Sequence, residues 1–412
     1  MAQKKIVVIG GGAAGLMAAL TASRLGAEVT LLEKNPRVGK KLLATGNGRC
    51  NFTNMDLNLG HFHGKNPQFA QAALNRLTGP QTIEFFRQLG IEPKEEEAGK
   101  VFPASGQASS ILDVLRYQLK RERVAVITDT SAKSVMKNGP NFNIRTTAGS
   151  FEAQAVIVAT GGKAGPQFGC SGDGYTLAAS FGHRLVKPFP GLVQLRLDAP
   201  FLKTIAGVKF VGQASVYQDA KLLNQAEGDI LFANYGVSGP PILALSRSAG
   251  EIMAQNQKAR LKVSLLPKQS AHKVEQYLKQ RFSEQGAKTA EFSLVGFIHK
   301  RLIRVLLKEA GIDPNIQAIY INSKQVATLA RLLTSWTFTI TGTNGWTAAQ
   351  VTAGGLDVRD IDTQTLGSRL VPGLYFAGEI IDIDGDCGGY NLQWAWSSGF
   401  TAALAAADRL DP

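Results

Sequence analysis

The feature of this sequence that points most directly to chemistry is a glycine pattern near its start. Gly10, Gly12 and Gly15 follow a predicted β-branched strand and open a predicted small-residue helix, and Glu33 ends the next predicted strand. A dinucleotide fingerprint requires this setting of strand, turn, helix and acidic residue. Gly10 would permit the turn, Gly12 would let the backbone approach a pyrophosphate, and Gly15 would allow close packing of helix and strand. Glu33 is expected to bond ribose hydroxyls and to disfavour a 2′-phosphate; the alternative is a merely tight β–α turn.

Later segments favour FAD over NAD as the bound dinucleotide. Thr160, Gly161 and Gly162 follow a late strand, and residues 373–379 precede the final helix. These two segments are the second and third marks of FAD-binding proteins. Residues 388–391 are expected at the start of the final helix, where the helix dipole would stabilise negative charge on reduced flavin. Because the chain contains one fingerprint and no second, NADH or NADPH is expected to visit the flavin transiently as the reductant.

Three long motifs add a family resemblance. They run from Val38 to Asn51, from Asn234 to Pro240 and from Asp386 to Ala395. Together they resemble the BaiN/YhiN-like family of FAD-binding flavoproteins over essentially the whole chain. The resemblance implies an α/β fold, in which a glutathione-reductase-type FAD-binding Rossmann domain is interrupted by a β-barrel and a small helical module. It also implies NAD(P)H-dependent reduction of activated C=C bonds, with some bacterial members linked to dihydrouridine formation in large-subunit ribosomal RNA. An older family label is amine or aminoacetone oxidase.

The predicted domain organisation follows this pattern. Short alternating strands without a long helix occupy the chain from about Pro188 to 265, helical patterns follow, and strand character returns at Trp336. We therefore expect an FAD-binding domain over 1–190 and 341–412 and an inserted barrel over 191–265 and 326–340. The helical module is predicted over 266–325.

The residues predicted to bind FAD lie in the fingerprint, in the glycine-rich basic loop after Val38 and in the later glycine segments. They are Gly10, Gly12, Ala13, Ala14, Gly15, Glu33, Lys34, Lys41, Asn47, Gly48, Arg49, Asn51, Ala132, Thr160, Gly161, Gly162, Gly378, Glu379, Gly388, Gly389, Tyr390, Asn391 and Leu392.

Reduction of a uracil ring would need a hydride at C6 and a proton at C5 from a positioned acid. Cys50 and Cys387 are the first candidates for that acid, because both lie in loops predicted to surround the flavin. Tyr390 is the alternative proton donor, and Cys170 is expected farther away. The alternative for Cys50 and Cys387 is that each is a small residue that only fills space in a tightly packed, glycine-rich site. Arg49 could clamp a phosphate, contact the flavin O2 or touch substrate.

Two motifs look like metal sites but are not predicted to be. Residues 382–386 resemble a calcium loop, yet Cys387 holds the required glycine place and Gln393 the bidentate carboxylate place. His61-Phe62-His63 has no nearby companion at ligand spacing in the sequence. We therefore predict no metal.

The charge of the chain points to an anionic partner. Lys and Arg total 45 against 32 Asp and Glu, a formal net charge of +13. Basic clusters occur at Lys40-Lys41, at 120–123 and on one face of a helix predicted over 297–309. These clusters could contact the phosphates of an RNA backbone. The alternative is that each is an ordinary solvent-exposed helix face, which is the usual meaning of such runs. The favoured substrate is a uridine of 23S ribosomal RNA, in a single-stranded or loosened precursor. The rivals are a small-molecule ene-reductase or amine oxidase, and a non-catalytic RNA-binding or ribosome-assembly factor that retains FAD.

Composition bounds the setting. The chain has 412 residues, 44% of them hydrophobic, and three cysteines without a Cys-x-x-Cys pair, which excludes a disulfide framework and favours a reducing cytoplasm. The glycine cluster interrupts the apolar start, so a signal peptide is not predicted. No apolar run reaches the ~18 residues that a bilayer span needs. We expect a soluble cytoplasmic protein, with its oligomeric state left open.

Overall fold

The computed structural model describes residues 3–408. The strands, in chain order, are β1 (Lys5–Ile9), β2 (Glu28–Leu32), β3 (Thr53–Asn54), β4 (Phe62–His63), β5 (Pro93–Glu96), β6 (Lys100–Pro103), β7 (Ala125–Ile127), β8 (Ala132–Asn138), β9 (Asn141–Thr146), β10 (Gly149–Ala153), β11 (Ala155–Val158), β12 (Leu185–Gly191), β13 (Leu195–Asp198), β14 (Lys209–Gln218), β15 (Lys221–Ala233), β16 (Gly236–Ser238), β17 (Ala259–Ser264), β18 (Trp336–Thr343), β19 (Val351–Leu356), β20 (Leu374–Phe376) and β21 (Asp384–Gly385). The α-helices are α1 (Ala13–Arg24), α2 (Gln71–Arg76), α3 (Gly79–Gln88), α4 (Ala108–Arg121), α5 (Asp173–Ala179), α6 (Leu202–Ile205), α7 (Pro240–Ala254), α8 (Ala271–Glu284), α9 (Ala290–Ser293), α10 (Lys300–Glu309), α11 (Ser323–Ser335) and α12 (Tyr390–Ala406). Two compact units result: residues Pro190–Ala349 form one, and the rest of the described chain forms the other.

A five-stranded parallel sheet organises the first unit. Its strand order is β20-β11-β1-β2-β7. Strand β1 pairs in parallel with β2 on one side and β11 on the other, so that Val7 lies opposite Thr30 and Val156. The four residues of β1 after Lys5 are at most 5% exposed, as expected of a strand that is covered on both faces. Because all five strands run the same way, the loops after β1, β2, β11 and β20 meet at one edge of the sheet.

The first and last helices of this unit pack directly against each other. A Cβ added at Gly399 in α12 would collide with the carbonyl oxygen of Ala14 in α1, so only glycine permits this approach. The alanine-rich stretch predicts a helix over 395–410, with the glycine segment 388–391 at its start, and α12 begins at Tyr390, immediately after the positive-φ residue Gly389. The Trp394 side chain, in the first turns of α12, is 1% exposed. The predicted end at Leu410 lies outside the described residues.

Small sheets of two or three strands accompany the parallel sheet. The order β10-β9-β8 forms one sheet, and its β8–β9 turn contains Asn138 and Gly139, as the sequence predicts. A second sheet has the order β3-β6-β5, while β12 pairs with β19 and β21 pairs with β4. The β4–β21 pairing is important for the site, because it brings the histidine segment near residue 62 to the glycine loop near residue 385.

The second unit contains a closed six-stranded barrel, β13-β16-β15-β14-β17-β18, where alternating strands predict an antiparallel sheet or small barrel. Phe232, Trp336 and Phe338 pack in its core with ring centroids 4.9–6.1 Å apart. Helices α8 to α11 precede β18. Asn322 and Gln325 form the capping box that starts α11, so this helix begins before residue 325, the predicted end of the helical module, and continues beyond it. The three-domain division with those boundaries stays a prediction.

Across residues 3–408, no helix combines the length and the apolar character needed to cross a membrane.

Candidate flavin site

The fingerprint forms a tight turn at the carboxyl end of β1. Gly10 has φ +107° and donates its N–H to the carbonyl oxygen of Leu32 at 2.8 Å. A Cβ at Gly15 would collide with the Gly10 carbonyl oxygen, whereas a Cβ at Gly12 would meet no atom within 4 Å. Helix α1 starts directly after Gly12, so its first N–H groups and its dipole are available beside this open space. The three glycines therefore differ physically: Gly10 and Gly15 serve the fold, while Gly12 keeps space clear.

Glu33 ends β2 beside this turn and is 7% exposed. Its Oε2 accepts a hydrogen bond from the N–H of Gly11 at 2.7 Å, and its Oε1 accepts from the N–H of Asn35 at 2.8 Å. The Glu33 carbonyl accepts from the N–H of Thr130 at 2.9 Å, which places the segment leading to Ala132 beside the end of β2. Glu33 thus joins the glycine turn to the loop after β2, and the predicted neighbours of an adenosine lie together.

A second group of loops lies next to the turn. A Cβ at Gly10 would approach the carbonyl oxygen of Ala159 to 2.5 Å, and Thr160 follows directly. The Thr160 hydroxyl is buried and has no hydrogen-bond partner within the described chain. Gly161 and Gly162 continue this loop, and a Cβ at Gly162 would collide with the side chain of Thr352. Glycine is required here by close packing.

Sequence reasoning missed the segment 169–174 as part of this site. A Cβ at Gly174 would collide with the Thr160 hydroxyl, and Cys170 Sγ lies 3.8 Å from the Cβ position of Gly161. Lys34, a predicted cofactor residue, forms an ion pair with Asp173 at 2.5 Å. The signal that could have found this segment is its Gly-Cys-Ser-Gly-Asp-Gly composition, which resembles the other glycine loops.

Lys41 and Glu379 form a largely buried ion pair in the site. Lys41 Nζ lies 2.7 Å from Glu379 Oε2, and the N–H of Thr352 donates to Glu379 Oε1 at 2.7 Å. Burial opposes the charge on Lys41, but the adjacent Glu379 carboxylate outweighs burial and raises the pKa of Lys41 above its ordinary value. Gly378, just before Glu379, donates its N–H to the Ser398 hydroxyl at 2.8 Å, which ties this loop to α12.

The basic loop after Lys41 is held in an unusual backbone conformation. Asn47 and Cys50 have φ values of +56° and +61°, although neither is glycine. Such conformations cost free energy and persist where surrounding structure holds them. Arg49 Nη2 lies 2.6 Å from Glu96 Oε1, and its guanidinium carbon lies 4.2 Å from the centre of the Phe102 ring. The Arg49 side chain is therefore engaged by the protein itself, while Gly48, with φ +83°, precedes it in the same loop.

The loop before α12 is fixed by Asn391. Its Oδ1 accepts from the N–H of Gly385 at 2.8 Å, and its Nδ2 donates to the carbonyl oxygens of Gly385 and Asp386 at 2.7 and 3.1 Å. The amide of Asn391 therefore positions the loop. Gly388 and Gly389 both have positive φ, and Leu392 lies half-buried one residue beyond Asn391.

The segment 51–54 packs against the same loop. Asn51 Oδ1 accepts from the N–H of Val101 at 3.2 Å and lies 3.0 Å from the Cβ position of Gly389. The Asn54 side chain donates to the carbonyl oxygen of Gly388 at 2.8 Å. The first and third family motifs, more than 300 residues apart in the sequence, thus form one surface.

A cluster of two histidines and an aspartate, which sequence reasoning missed, lies on this loop. Asp386 Oδ2 is 3.0 Å from His61 Nδ1, and Asp386 Oδ1 is 2.8 Å from His63 Nε2. The His61 ring stacks on the Tyr390 ring, with centroids 4.4 Å apart and planes 17° from parallel. Burial opposes ionisation of Asp386, yet the bonds from the two imidazoles outweigh it and lower the pKa of Asp386. We refer to His61, His63 and Asp386 as the His–Asp–His clasp.

The predicted proton donors differ sharply in access. Cys50 is 0% exposed, and burial raises the pKa of its thiol to about 12. Cys387, next to the clasp, is exposed, and desolvation raises the pKa of its thiol although Lys100 opposes the shift. Tyr390 is 6% exposed, and burial with the nearby carboxylates of Asp56 and Asp386 raises its pKa to about 12. Of the three residues, Cys387 alone is exposed.

The side chains of the clasp do not have the arrangement of a metal site. Over residues 3–408, no group of three or more His, Cys, Asp and Glu side chains has an arrangement that could hold a metal ion.

The residues present fit a bound flavin dinucleotide. Open space lies at Gly12 beside the start of α1. The hydroxyls of Thr160 and Tyr175 are buried without a partner among the described residues, and a buried polar group normally has one. Burial and the nearby Glu379 carboxylate raise the pKa of Tyr175, so its hydroxyl is a neutral donor. A polar cofactor at this edge of the sheet would satisfy both hydroxyls.

Comparisons with known proteins agree with this reading. The profile of the family described as HI0933-like protein Rossmann domain matches residues 4–405. A 3-dehydro-bile acid delta(4,6)-reductase from Clostridium scindens is 38% identical, over 98% of this chain and 99% of that protein. A ribosomal RNA dihydrouridine synthase from Haemophilus influenzae is 31% identical over 97% of both chains, and one from Escherichia coli is 31% identical over 96% of both. The solved 3-ketosteroid delta1-dehydrogenase from Sterolibacterium denitrificans shares the fold, with a TM-score of 0.51, 13% identity and coverage of 99% of this chain and 100% of that one.

The Rossmann-type FAD-binding fold and these relatives define a flavin-dependent oxidoreductase. The chain belongs to the HI0933-like Rossmann family, which confirms the BaiN/YhiN-like resemblance of its motifs.

Proposed function

We propose that this protein uses NAD(P)H and FAD to reduce a C=C bond conjugated to a carbonyl group, and that its substrate is a uridine of ribosomal RNA. The observation that carries the proposal is the agreement in the names of the relatives, which are a delta(4,6)-reductase and two dihydrouridine synthases that align over nearly the whole chain. The C5=C6 bond of uracil is conjugated to a carbonyl, so one type of hydride and proton addition serves such substrates.

The binding residues proposed for FAD divide by chemistry. The backbone from Gly10 to Gly15 would face the pyrophosphate at the start of α1, and Glu33 would lie at the adenosine ribose. Lys41 and Glu379, held together at 2.7 Å, would contact the polar chain toward the flavin. The start of α12 at Tyr390 would favour negative charge on the ring. Bound FAD supplies hydride transfer, which no side chain of the protein can perform.

Cys387 is the proton donor that this proposal favours. Its raised pKa keeps the thiol protonated at neutral pH, and Cys387 is an exposed residue, which an incoming substrate can approach. The neighbouring Asp386 is bonded by both His61 and His63, which restrains the loop that carries the thiol. Cys50 has no exposed surface, which favours a packing role for it.

The RNA substrate is supported by charge as well as by relatives. A net charge of +13 attracts polyanions such as RNA. The base would have to be unstacked, because a flavin must reach the face of the ring.

The test is mass spectrometry of ribosomal RNA from a strain that lacks this protein, complemented by wild type or by Cys387→Ala. We expect one dihydrouridine to disappear in the deletion strain and to return with the wild type. Cys387→Ala should bind FAD and accept electrons from NAD(P)H but restore the modification slowly. Unchanged dihydrouridine in the deletion strain would refute the RNA substrate, and undiminished modification by Cys387→Ala would refute the thiol as donor.

A second candidate substrate is a small conjugated enone, favoured by the 38% identity to the bile-acid reductase. This candidate predicts that a free steroid enone reoxidises the reduced protein with little dependence on salt. RNA binding would instead weaken steeply as salt rises. Tight RNA binding without any flavin reduction by NADH or NADPH would favour a non-catalytic RNA-binding factor over both.

A further inference from the structure

The second unit carries an exposed surface that the flavin chemistry does not use. Tyr320 is 72% exposed, Phe292 59% and Ile319 54%. Lys288 Nζ lies 5.7 Å from the centre of the Phe292 ring. We refer to Lys288, Phe292, Ile319 and Tyr320 as the aromatic–cationic surface.

Backbone pairing holds the two segments of this surface together. The N–H of Ala318 donates to the carbonyl oxygen of Lys288 at 2.8 Å, and the N–H of Ala290 donates to Ile316 at 2.8 Å. Ala290 and Ala318 are at most 1% exposed, so each segment is anchored in the core immediately beside its exposed aromatic residue. The exposed rings are therefore presented on fixed backbone, which lowers the entropy lost when a partner binds.

The segment of chain that carries this surface is strongly positive. Residues 266–325 contain ten Lys and Arg against five Asp and Glu. Their net charge per residue is therefore more than twice that of the whole chain, which carries +13 over 412 residues. Two of the five carboxylates are engaged in ion pairs, Glu275 with Lys279 at 2.7 Å and Glu291 with Arg304 at 2.8 Å. Helix α10 buries its apolar face, so its cations Lys300 and Lys308 lie on the exposed side.

We propose that the aromatic–cationic surface binds single-stranded RNA, with Phe292 and Tyr320 stacking on unpaired bases and the lysines contacting phosphates. Exposed aromatic rings among cations are the combination that single-stranded nucleic acid requires, because every base offers a flat face and every linkage a charge. A second copy of this chain is a poor occupant, since it would bring the same positive charge. This proposal rests on the RNA substrate proposed above.

The test is fluorescence anisotropy of the flavin-loaded, full-length protein with a labelled single-stranded oligouridine. Phe292→Ala and Tyr320→Ala should each weaken binding about tenfold, the loss of one stacked base. Lys288→Gln should lower the slope of log affinity against log salt by about 0.7. The control is Leu370→Ala, which removes an apolar side chain 47% exposed in the first unit, away from the basic clusters in the sequence, and should leave binding unchanged. Flavin content of each variant checks the fold.

Wild-type affinity in both aromatic variants would overturn the proposal, as would an equal loss in Leu370→Ala. Loss of a self-associated species in sedimentation, with unchanged RNA affinity, would assign the surface to contact between copies and also overturn it. The outcome is separable from the proposed function, because reduction of a uridine or an enone is measured independently. A protein that reduces its substrate but binds RNA equally well without Phe292 and Tyr320 refutes only the surface.

Discussion

Replacing Gly12 by valine is expected to remove the flavin while leaving the fold intact. Gly12 has φ −79° and ψ −172°, an extended conformation that valine adopts readily. An added Cβ at Gly12 meets no protein atom within 4 Å. The change in free energy of unfolding of the flavin-free protein should therefore stay within about 1 kcal/mol.

The cost falls on the cofactor. A valine side chain would occupy the space beside the first N–H groups of α1, where the pyrophosphate is proposed to bind. Hydrogen bonds to charged groups contribute about 1.5–3 kcal/mol each, so losing two would weaken FAD binding by about 3–6 kcal/mol, at least a hundredfold. Gly15→Ala, only three residues away, should instead destabilise the fold by about 3 kcal/mol or more, because its Cβ would collide with the Gly10 carbonyl oxygen.

The assay combines visible flavin absorbance per mole of purified protein with urea unfolding of the flavin-free forms. Gly342→Val is the matched control, since a Cβ there also meets no atom within 4 Å and the position lies in β18 of the other unit. We expect a colourless but folded Gly12→Val variant and a yellow Gly342→Val variant. A Gly12→Val protein with full flavin content would refute the placement of the pyrophosphate.

Three other expectations concern single side chains. Iodoacetamide should alkylate Cys387 alone in the native protein, because the other two cysteines are at most 8% exposed. The rate of alkylation should keep rising with pH above about 8.5, the ordinary thiol pKa, because the pKa of Cys387 is raised. Peptide mass spectrometry measures the labelled site and the rate, and fast labelling of another cysteine without unfolding would contradict this expectation. Asp386→Asn should reduce the free energy of unfolding at neutral pH, and its difference from wild type should shrink as pH falls below about 4. The reason is that a lowered carboxyl pKa stabilises the fold at pH above the ordinary carboxyl pKa, and this stability is lost as the native carboxylate protonates. Urea unfolding at two pH values tests whether the difference shrinks on acidification. Gln393→Leu should lower the free energy of unfolding by about 2–4 kcal/mol, because its buried amide takes part in four hydrogen bonds. The control Gln88→Leu, on the exposed face of α3, should leave the free energy of unfolding almost unchanged. Equal urea midpoints for the two variants would contradict a stabilising role for the hydrogen bonds of Gln393.

Local patterns were sufficient wherever the physical cause is local. The Gly10–Gly15 turn, the parallel strands beside it and the antiparallel character of the second unit follow from backbone freedom and from the period of buried residues. The start of α12 shows how two patterns combine. The alanine-rich stretch alone predicts a helix from 395, whereas the glycine segment 388–391 is expected at the helix start, and α12 begins at Tyr390 after the positive φ of Gly389.

The site residues divide in the same way. The need for glycine at Gly10 and Gly15 could be predicted from spacing, because the tight turn that brings backbone this close has a sequence signature. The partners of charged side chains could not: Arg49 is bonded to Glu96, Lys34 to Asp173 and Lys41 to Glu379. A sequence reports that a cation is present, and only the folded chain reports which carboxylate it meets.

The sequence by itself determined that a dinucleotide turn begins this protein and that its chain carries a large positive charge, because glycine spacing and residue counts do not depend on folding. The tertiary structure alone decided that His61 and His63 bond Asp386 beside Cys387. These residues are separated by more than 300 positions, and they meet because β4 pairs with β21. Such a pairing is selected by packing of the whole unit, so no local pattern could have predicted it.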